Sequence, residues 1–256
     1  MKHGDFSSLA DDYAKYRPGY SPMVLSALFG MASDPKKDLS VADVGAGTGI
    51  WSRMMLGQGR QVTSVEPNNS MREQGIRLTR ESGDALRWVA GSAEQTTLKD
   101  ESCDVVTMAS SFHWPDFDAA ITEFHRILRP GGLFMALWNT RFIHSNPILV
   151  EIEEKLHSLV PNMKRVSSGK SEFCDSLFES LHERSEFSDV LYLEGRHSEQ
   201  QSVERYIGLW RSVNDVRVQA GETRFEAFLS FIAERLEGVE YINADYTTRA
   251  WIAKKA

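Results

Sequence analysis

An apolar stretch that ends in an acid and opens into spaced glycines is the first place in this chain where chemistry is expected. It reads VADVGAGTGIW, residues 41–51, with single residues separating Gly45, Gly47 and Gly49. Glycine tolerates positive φ and leaves the backbone open to a ligand, and a helix that starts after the turn presents unpaired N–H groups. In open α/β sheets, ligands bind at such strand-to-helix turns. The turn therefore predicts a nucleotide or nucleoside site.

The residues around the turn narrow the class of ligand. A dinucleotide fingerprint counted from Gly45 needs a third glycine at position 50, where this chain has Ile50, and the G-K-[ST] ending of a Walker loop is absent. Glu66 ends the second predicted strand, at the distance where an acid can accept both hydroxyls of a ribose. Ala93 and Glu94 follow the third predicted strand and can reach the edge of a purine. We expect a nucleoside with a free ribose and no phosphates.

A second candidate for chemistry is His113, in the stretch SSFHWPD at residues 110–116 after the fourth predicted strand. Its imidazole has an ordinary pKa near working pH, so it can take a proton from a hydroxyl or carboxyl group. With a carboxylate acceptor it becomes a hydrogen-bond donor instead. A packing role, in which it positions Trp114 and Phe112, is the third alternative, and the sequence leaves all three open.

Polar and aromatic side chains near the same rim predict the pocket of a second, small substrate. Two arginines among them suggest an anionic or polyhydroxylated compound. The candidates are Trp114, Trp138, Asn139, Arg141, His144, Trp210, Arg211 and Asn214.

The elements that must position these residues follow from hydrophobic periodicity. Short β-branched runs alternate with helical stretches between residues 38 and 138, which predicts βαβ units and a parallel sheet. Strands are predicted at 40–45, 61–67, 86–91, 103–110, 133–139, 189–195 and 244–256. Helices are predicted at 50–59, 69–83 and 116–128, the last one stopped by RPGG, and mainly helical segments at 145–183 and 199–237.

The chain has 256 residues, no internal repeat and no Pro/Gly/Ser-rich linker, so we expect one domain over residues 1–256. The expected fold is α/β, a doubly wound, seven-stranded, mostly parallel sheet with a helical cap. A ligand-binding core at about 36–140 is flanked by an N-terminal lid at about 1–30 and by the two helical segments as the cap.

Composition limits the partners and the location. The net charge is −7 and the basic residues are scattered, which disfavours a nucleic acid. No apolar run approaches a membrane span and the N-terminus does not resemble a secretory signal, so we expect a cytoplasmic protein without membrane contact. The spacing of cysteine and histidine predicts no metal site. The sequence does not indicate an oligomeric state.

Taken together, the motifs resemble the class I S-adenosylmethionine-dependent methyltransferases, in the small-molecule group that includes UbiE-like and trans-aconitate methyltransferases. The resemblance rests on four segments in the family's order: VADVGAGTG, SVEPNNSM, AGSAEQTTLKDESCDVVTMASSFHW and EFHRILRPGGLFMALWN. The N-terminal segment FSSLADDYAKYRPGYSP also matches.

The resemblance implies S-adenosylmethionine as cofactor and assigns residues to it. It implies that Asp43, Gly45, Ala46 and Gly47 line the methionine half, that Glu66 holds the ribose, and that Pro67 and Met71 flank the adenine with Ala93 and Glu94 at its edge. Tyr13 and Arg17 are expected to close over the cofactor, with Arg17 able to pair with its carboxylate, and Ser110 is expected to bind it as well.

The activity expected from this resemblance is methylation of a small molecule, with O-methylation of a hydroxyl or carboxyl group favoured and N- or C-methylation left open. Two other classes remain as alternatives. A nicotinamide-dependent oxidoreductase shares the sheet and the ribose acid, although Ile50 counts against it. A non-catalytic nucleoside-binding subunit would keep the glycine turn and Glu66.

Overall fold

The computed structural model describes residues 10–32, 38–164 and 169–256. Residues 1–9 of the predicted lid, 36–37 at the start of the predicted core and 165–168 of the first cap segment lie outside the described residues.

Within the described ranges, the helices are α1 Ala10–Tyr16, α2 Pro22–Ala32, α3 Ile50–Leu56, α4 Asn69–Leu78, α5 Phe117–Ile127, α6 Pro147–Leu159, α7 Glu172–His182, α8 Val203–Arg211 and α9 Asn214–Arg235. The strands are β1 Ser40–Val44, β2 Gln61–Val65, β3 Leu86–Val89, β4 Cys103–Ala109, β5 Leu128–Arg141, β6 Phe187–Ser202 and β7 Tyr241–Lys255.

The strands form one seven-stranded sheet in the order β3-β2-β1-β4-β5-β7-β6. Strands β1 to β5 pair in parallel, whereas β7 runs antiparallel to both β5 and β6. The predicted doubly wound, mostly parallel sheet is confirmed. The chain reverses its direction of winding between β1 and β4, and the crevice outside the carboxyl ends of these two strands is where such sheets bind ligands.

Four predicted boundaries were wrong. Helix α5 ends at Ile127, just before RPGG as predicted, but β5 begins at Leu128 and not at the predicted residue 133. The predicted helix at 69–83 ends at Leu78, where Thr79 caps it through Gly75 O, and a 3₁₀ turn follows. Strand β6 extends well beyond 189–195 because β7 pairs with it as far as Ser202, so residues 199–202 are strand and not helix.

Three apolar clusters hold the layers together. One face of the sheet is covered by α5 and α7, with Phe124, Trp138 and Leu177 in its core. The other face is covered by α2 and α3 through residues such as Leu28 and Met55. A third cluster joins α6, α8 and α9, which we call the cap, whereas α7 of the predicted cap segment packs on the sheet. The members of this third cluster include the buried residues Ile152, Tyr206, Trp210, Phe228 and Ile232.

Candidate functional site

The glycine turn lies at the carboxyl end of β1, where the sequence predicts it. Gly45, Gly47 and Gly49 have φ angles of +64°, +58° and +79°, in the left-handed region that favours glycine. The backbone N–H of Ala46 donates to Val65 O at 3.1 Å, which ties the turn to the end of β2. The turn is therefore a fixed backbone loop that passes from β1 into α3 at Ile50.

Close approach explains why position 45 has no side chain. A Cβ on Gly45 would lie 2.7 Å from Ser111 Oγ and 2.9 Å from Ser111 Cβ, in the segment that leaves β4. The residue before it, Ser110, has a φ of +56°, which is uncommon outside glycine and costs free energy. Its N–H donates to Leu137 O at 2.7 Å, which holds this backbone in place.

Glu66 faces the turn from the end of β2. Its Oε2 accepts the Gly47 N–H at 2.8 Å and its Oε1 accepts the Asn68 N–H at 2.8 Å. The side chain is only 6% exposed, and burial raises the pKa of its carboxyl while the two N–H donors and Arg72 oppose that shift. Each carboxylate oxygen has a second lone pair, so the group can still accept hydroxyl donors.

A cavity of about 300 Å³ lies between the turn, Glu66 and the end of β4. Ten of the predicted site residues line it: Tyr13, Gly45, Gly47, Glu66, Pro67, Met71, Ala93, Glu94, Ser110 and Trp114. Six residues that the sequence did not indicate line it too: Asn68, Ser92, Met108, Ala109, Ser111 and Pro115. All six lie within two positions of a predicted residue, so sequence proximity was the one signal available for them.

Asp43 and Ala46 are not part of the cavity lining, although the sequence groups them with it. Asp43 is fully buried behind the turn, where its Oδ2 accepts the Ser52 hydroxyl at 2.5 Å and its Oδ1 accepts the Thr107 hydroxyl at 3.3 Å. Burial raises the pKa of Asp43 to about 7, against the effect of these hydroxyl donors. Asp43 thus links β1, α3 and β4 beneath the turn.

Of the two residues predicted in the lid, Tyr13 lines the cavity and Arg17 binds elsewhere. The Arg17 guanidinium lies 4.8 Å from the centre of the Tyr13 ring. Arg17 Nε and Nη2 each donate at 2.9 Å to Ser212, to its hydroxyl and its carbonyl oxygen. Arg17 therefore joins the lid to the turn between α8 and α9.

His113 directly precedes Trp114 in the chain, and it does not itself line the cavity. The His113 ring centre is 4.4 Å from that of Trp114, and Trp138 Nε1 donates to His113 Nδ1 at 3.3 Å. Burial lowers the pKa of His113 to about 4, and the Asp215 carboxylate opposes this shift. The imidazole is therefore neutral at pH 7.

The other predicted substrate residues have varied surroundings and do not line the cavity. Asn139 donates to Gly19 O at 2.5 Å and accepts from the Thr248 hydroxyl at 2.6 Å, which fastens the segment after α1 to the sheet. Arg141 pairs with Glu153 at 3.2 Å and lies 3.8 Å from the Trp210 ring centre. Trp138, Trp210 and Asn214 are buried, whereas His144 and Arg211 are exposed.

In the described parts of the chain, no three His, Cys, Asp or Glu side chains are placed to hold a metal ion. No helix among these residues is long and apolar enough to cross a membrane.

The sheet order defines a doubly wound protein, and part of the chain matches a known family. Residues 42–136 match the methyltransferase domain family. An uncharacterized methyltransferase of Mycobacterium tuberculosis is 36% identical over 136 residues, which are 53% of this chain and 52% of the relative. The ubiquinone/menaquinone biosynthesis C-methyltransferase UbiE of Rubrivivax gelatinosus is 35% identical over 105 residues, 40% of each chain. This chain thus spans about half the length of the mycobacterial relative.

Solved structures share the fold at low sequence identity. A candidate type II methyltransferase of Anaeromyxobacter dehalogenans has a TM-score of 0.64 and 20% identity, over 94% of this chain and 97% of its own. A Haemonchus contortus phosphoethanolamine N-methyltransferase in complex with S-adenosylhomocysteine has a TM-score of 0.55 and 15% identity, over 97% of this chain and 57% of its own. The match to the methyltransferase domain family covers residues 42–136, the part of the chain that carries the motifs behind the resemblance seen in the sequence.

Proposed function

We propose that the protein binds S-adenosylmethionine in the glycine-turn cavity and transfers its methyl group to an oxygen of a small molecule held beneath the helical cap. One observation supports the cofactor half most strongly. The cavity places positive-φ glycines directly against the buried carboxylate of Glu66.

The cavity offers each part of this cofactor a matching surface. Gly45 and Gly47 leave backbone room beside Tyr13 and Ser110, where we place the methionine half. Glu66 keeps lone pairs for the two ribose hydroxyls. Pro67, Met71 and Ala93 form an apolar wall for the adenine, with Glu94 at its edge. Asp43 and Ala46 support the turn from behind and beside it.

When bound, the cofactor supplies an electrophilic methyl group on a sulfonium sulfur. In-line displacement from such a leaving group gains much of its rate from alignment, so the main task of the protein is to orient the two reactants. Trp114 lines the cofactor cavity and packs on His113, so it marks where the acceptor side begins. We place the acceptor between this pair and the start of α9, where Asp215 lies close enough for its charge to oppose the lowering of the His113 pKa.

The acceptor class is inferred from charge and from the cap. The net charge of −7 disfavours a nucleic acid, and the cap helices cover the acceptor side, which favours a small molecule. The names of relatives include both a C-methyltransferase and a malonyl-[acyl-carrier protein] O-methyltransferase, the latter 31% identical over 109 residues. We favour oxygen because the neutral His113 imidazole can hydrogen-bond it. A single domain and a cytoplasmic location remain predictions from the sequence.

The test is a transfer assay. Purified protein with S-adenosylmethionine is screened against small carboxylic acids, phenols, alcohols and amines, and the release of S-adenosylhomocysteine is measured. The proposal predicts turnover with an oxygen acceptor that is abolished by Glu66→Ala. The control Glu73→Ala removes an exposed carboxylate from α4 and should retain wild-type activity. Turnover with amines alone would contradict the oxygen assignment, and equal activity in both variants would contradict the cofactor site.

A further inference from the structure

The hydrogen bond between Trp138 and His113 determines which ring nitrogen of the histidine carries its proton. An indole nitrogen is only a donor, so His113 Nδ1, 3.3 Å from Trp138 Nε1, must present a lone pair. A neutral imidazole carries one proton, which then resides on Nε2. Trp138 is fully buried between β4, β7 and Phe173, so its indole cannot easily turn away.

The protonated nitrogen is the one that has no protein partner. Nε2 is buried, and no hydrogen-bonding atom in the described ranges lies within reach of it. A buried N–H without a partner is unfavourable, and such a group at a functional site indicates a missing acceptor. The His113 ring packs against Trp114, which lines the cavity, so we assign the missing acceptor to the substrate side.

A general base needs a lone pair directed at the proton that it removes. On His113 the available lone pair is on Nδ1 and already accepts the indole N–H, while Nε2 is occupied by a proton. Asp215 is the charged group acting on the ring, and its carboxylate does not change this assignment.

We propose that His113 is a hydrogen-bond donor that positions the methyl-acceptor oxygen through Nε2–H, and that it is not a general base. This inference rests on the proposed function and restricts its substrate class. The acceptor must present an oxygen lone pair at this point, which a carboxylate or hydroxyl has and an ammonium group lacks. The imidazole keeps its proton throughout. A carboxylate acceptor loses no proton, and the proton of a hydroxyl acceptor leaves to solvent water.

The direct test is ¹⁵N NMR of the histidine rings in the full protein, which distinguishes protonated from unprotonated ring nitrogens. His113→Gln provides the assignment. We expect Nε2 protonated and Nδ1 unprotonated from pH 6 to 9, and we expect Trp138→Phe to allow the proton to move between the two. A proton on Nδ1 in the wild type would overturn the proposal. The measurement needs neither cofactor nor acceptor, so its failure is distinct from a failure of methyl transfer.

The kinetic test compares two variants on the acceptor that the transfer assay identifies. His113→Gln keeps an N–H donor that cannot act as a base, whereas His113→Phe keeps an aromatic ring and loses the donor. We expect Gln to stay within about threefold of wild type and Phe to raise the acceptor KM about tenfold, with kcat less affected. Equal losses in both variants, with a wild-type kcat that rises with pH through a single ionisation, would identify a base and contradict the proposal.

Discussion

The substitution Gly45→Ala tests whether the turn is glycine-rich for a ligand or only for a tight backbone. Alanine at this φ of +64° carries the strain of the left-handed region, about 1–2 kcal/mol. Its Cβ would also lie 2.7 Å from Ser111 Oγ, so the cavity wall must shift, which adds about 1–3 kcal/mol. We therefore expect the free energy of unfolding to fall by about 2–5 kcal/mol and S-adenosylhomocysteine to bind at least about tenfold more weakly.

Gly59→Ala is the matched control for this prediction. Gly59 has a φ of +71°, and a Cβ there meets nothing within 4 Å, so the variant carries the same backbone strain without the contact. We expect a loss of about 1–2 kcal/mol and wild-type binding. Urea unfolding followed by tryptophan fluorescence and calorimetric titration give both quantities. Equal destabilisation of the two variants, with ligand affinity unchanged in both, would refute the reasoning about the turn.

Two further changes test the turn and its support. Gly47→Val places a β-branched residue at φ +58°, with its Cβ 3.4 Å from Met71 Cε. We expect calorimetry to show cofactor affinity reduced about tenfold or more. A variant that binds the cofactor as tightly as wild type would show that the turn does not need glycine here. Asp43 has a folded pKa of about 7, above its unfolded value of 3.8, so the folded state binds more protons between these values and stability falls as pH rises through that window. Asp43→Asn removes this titration, so the decrease in unfolding free energy from pH 4 to pH 7.5, a few kcal/mol in wild type, should shrink in the variant. A decrease of equal size in both proteins would show that Asp43 does not cause it.

The cofactor side was predictable from the sequence because its signals are local. Gly45 and Glu66 come directly after β1 and β2, and Ala93 lies in the loop that follows β3. The carboxyl ends of parallel strands meet at one edge of a sheet. The alternation of strand and helix therefore placed these residues around one cavity without any knowledge of side-chain contacts.

The acceptor side was less predictable because its predicted residues form hydrogen bonds with residues far away in the sequence. Asn139 appears free in the sequence but bonds to Gly19, 120 residues away. The resemblance implies that Arg17 can pair with the cofactor carboxylate, and the structure shows in addition that its guanidinium donates to Ser212. Neither pairing has a sequence signal, because one depends on how the segment after α1 meets the sheet and the other on how α1 meets the cap. The Trp138–His113 contact likewise joins β5 to the segment after β4, and only the structure gives the directions of these two side chains.

Binding of the cofactor beside Glu66 is tested most directly by calorimetric titration of the purified protein with S-adenosylhomocysteine. NAD represents the competing ligand class, and Glu66→Ala is the site variant. We expect saturable binding of S-adenosylhomocysteine, a clear loss of affinity in Glu66→Ala, wild-type binding in Glu73→Ala, and no response to NAD. Absence of binding by folded protein, or binding that Glu66→Ala leaves unchanged, would contradict this expectation.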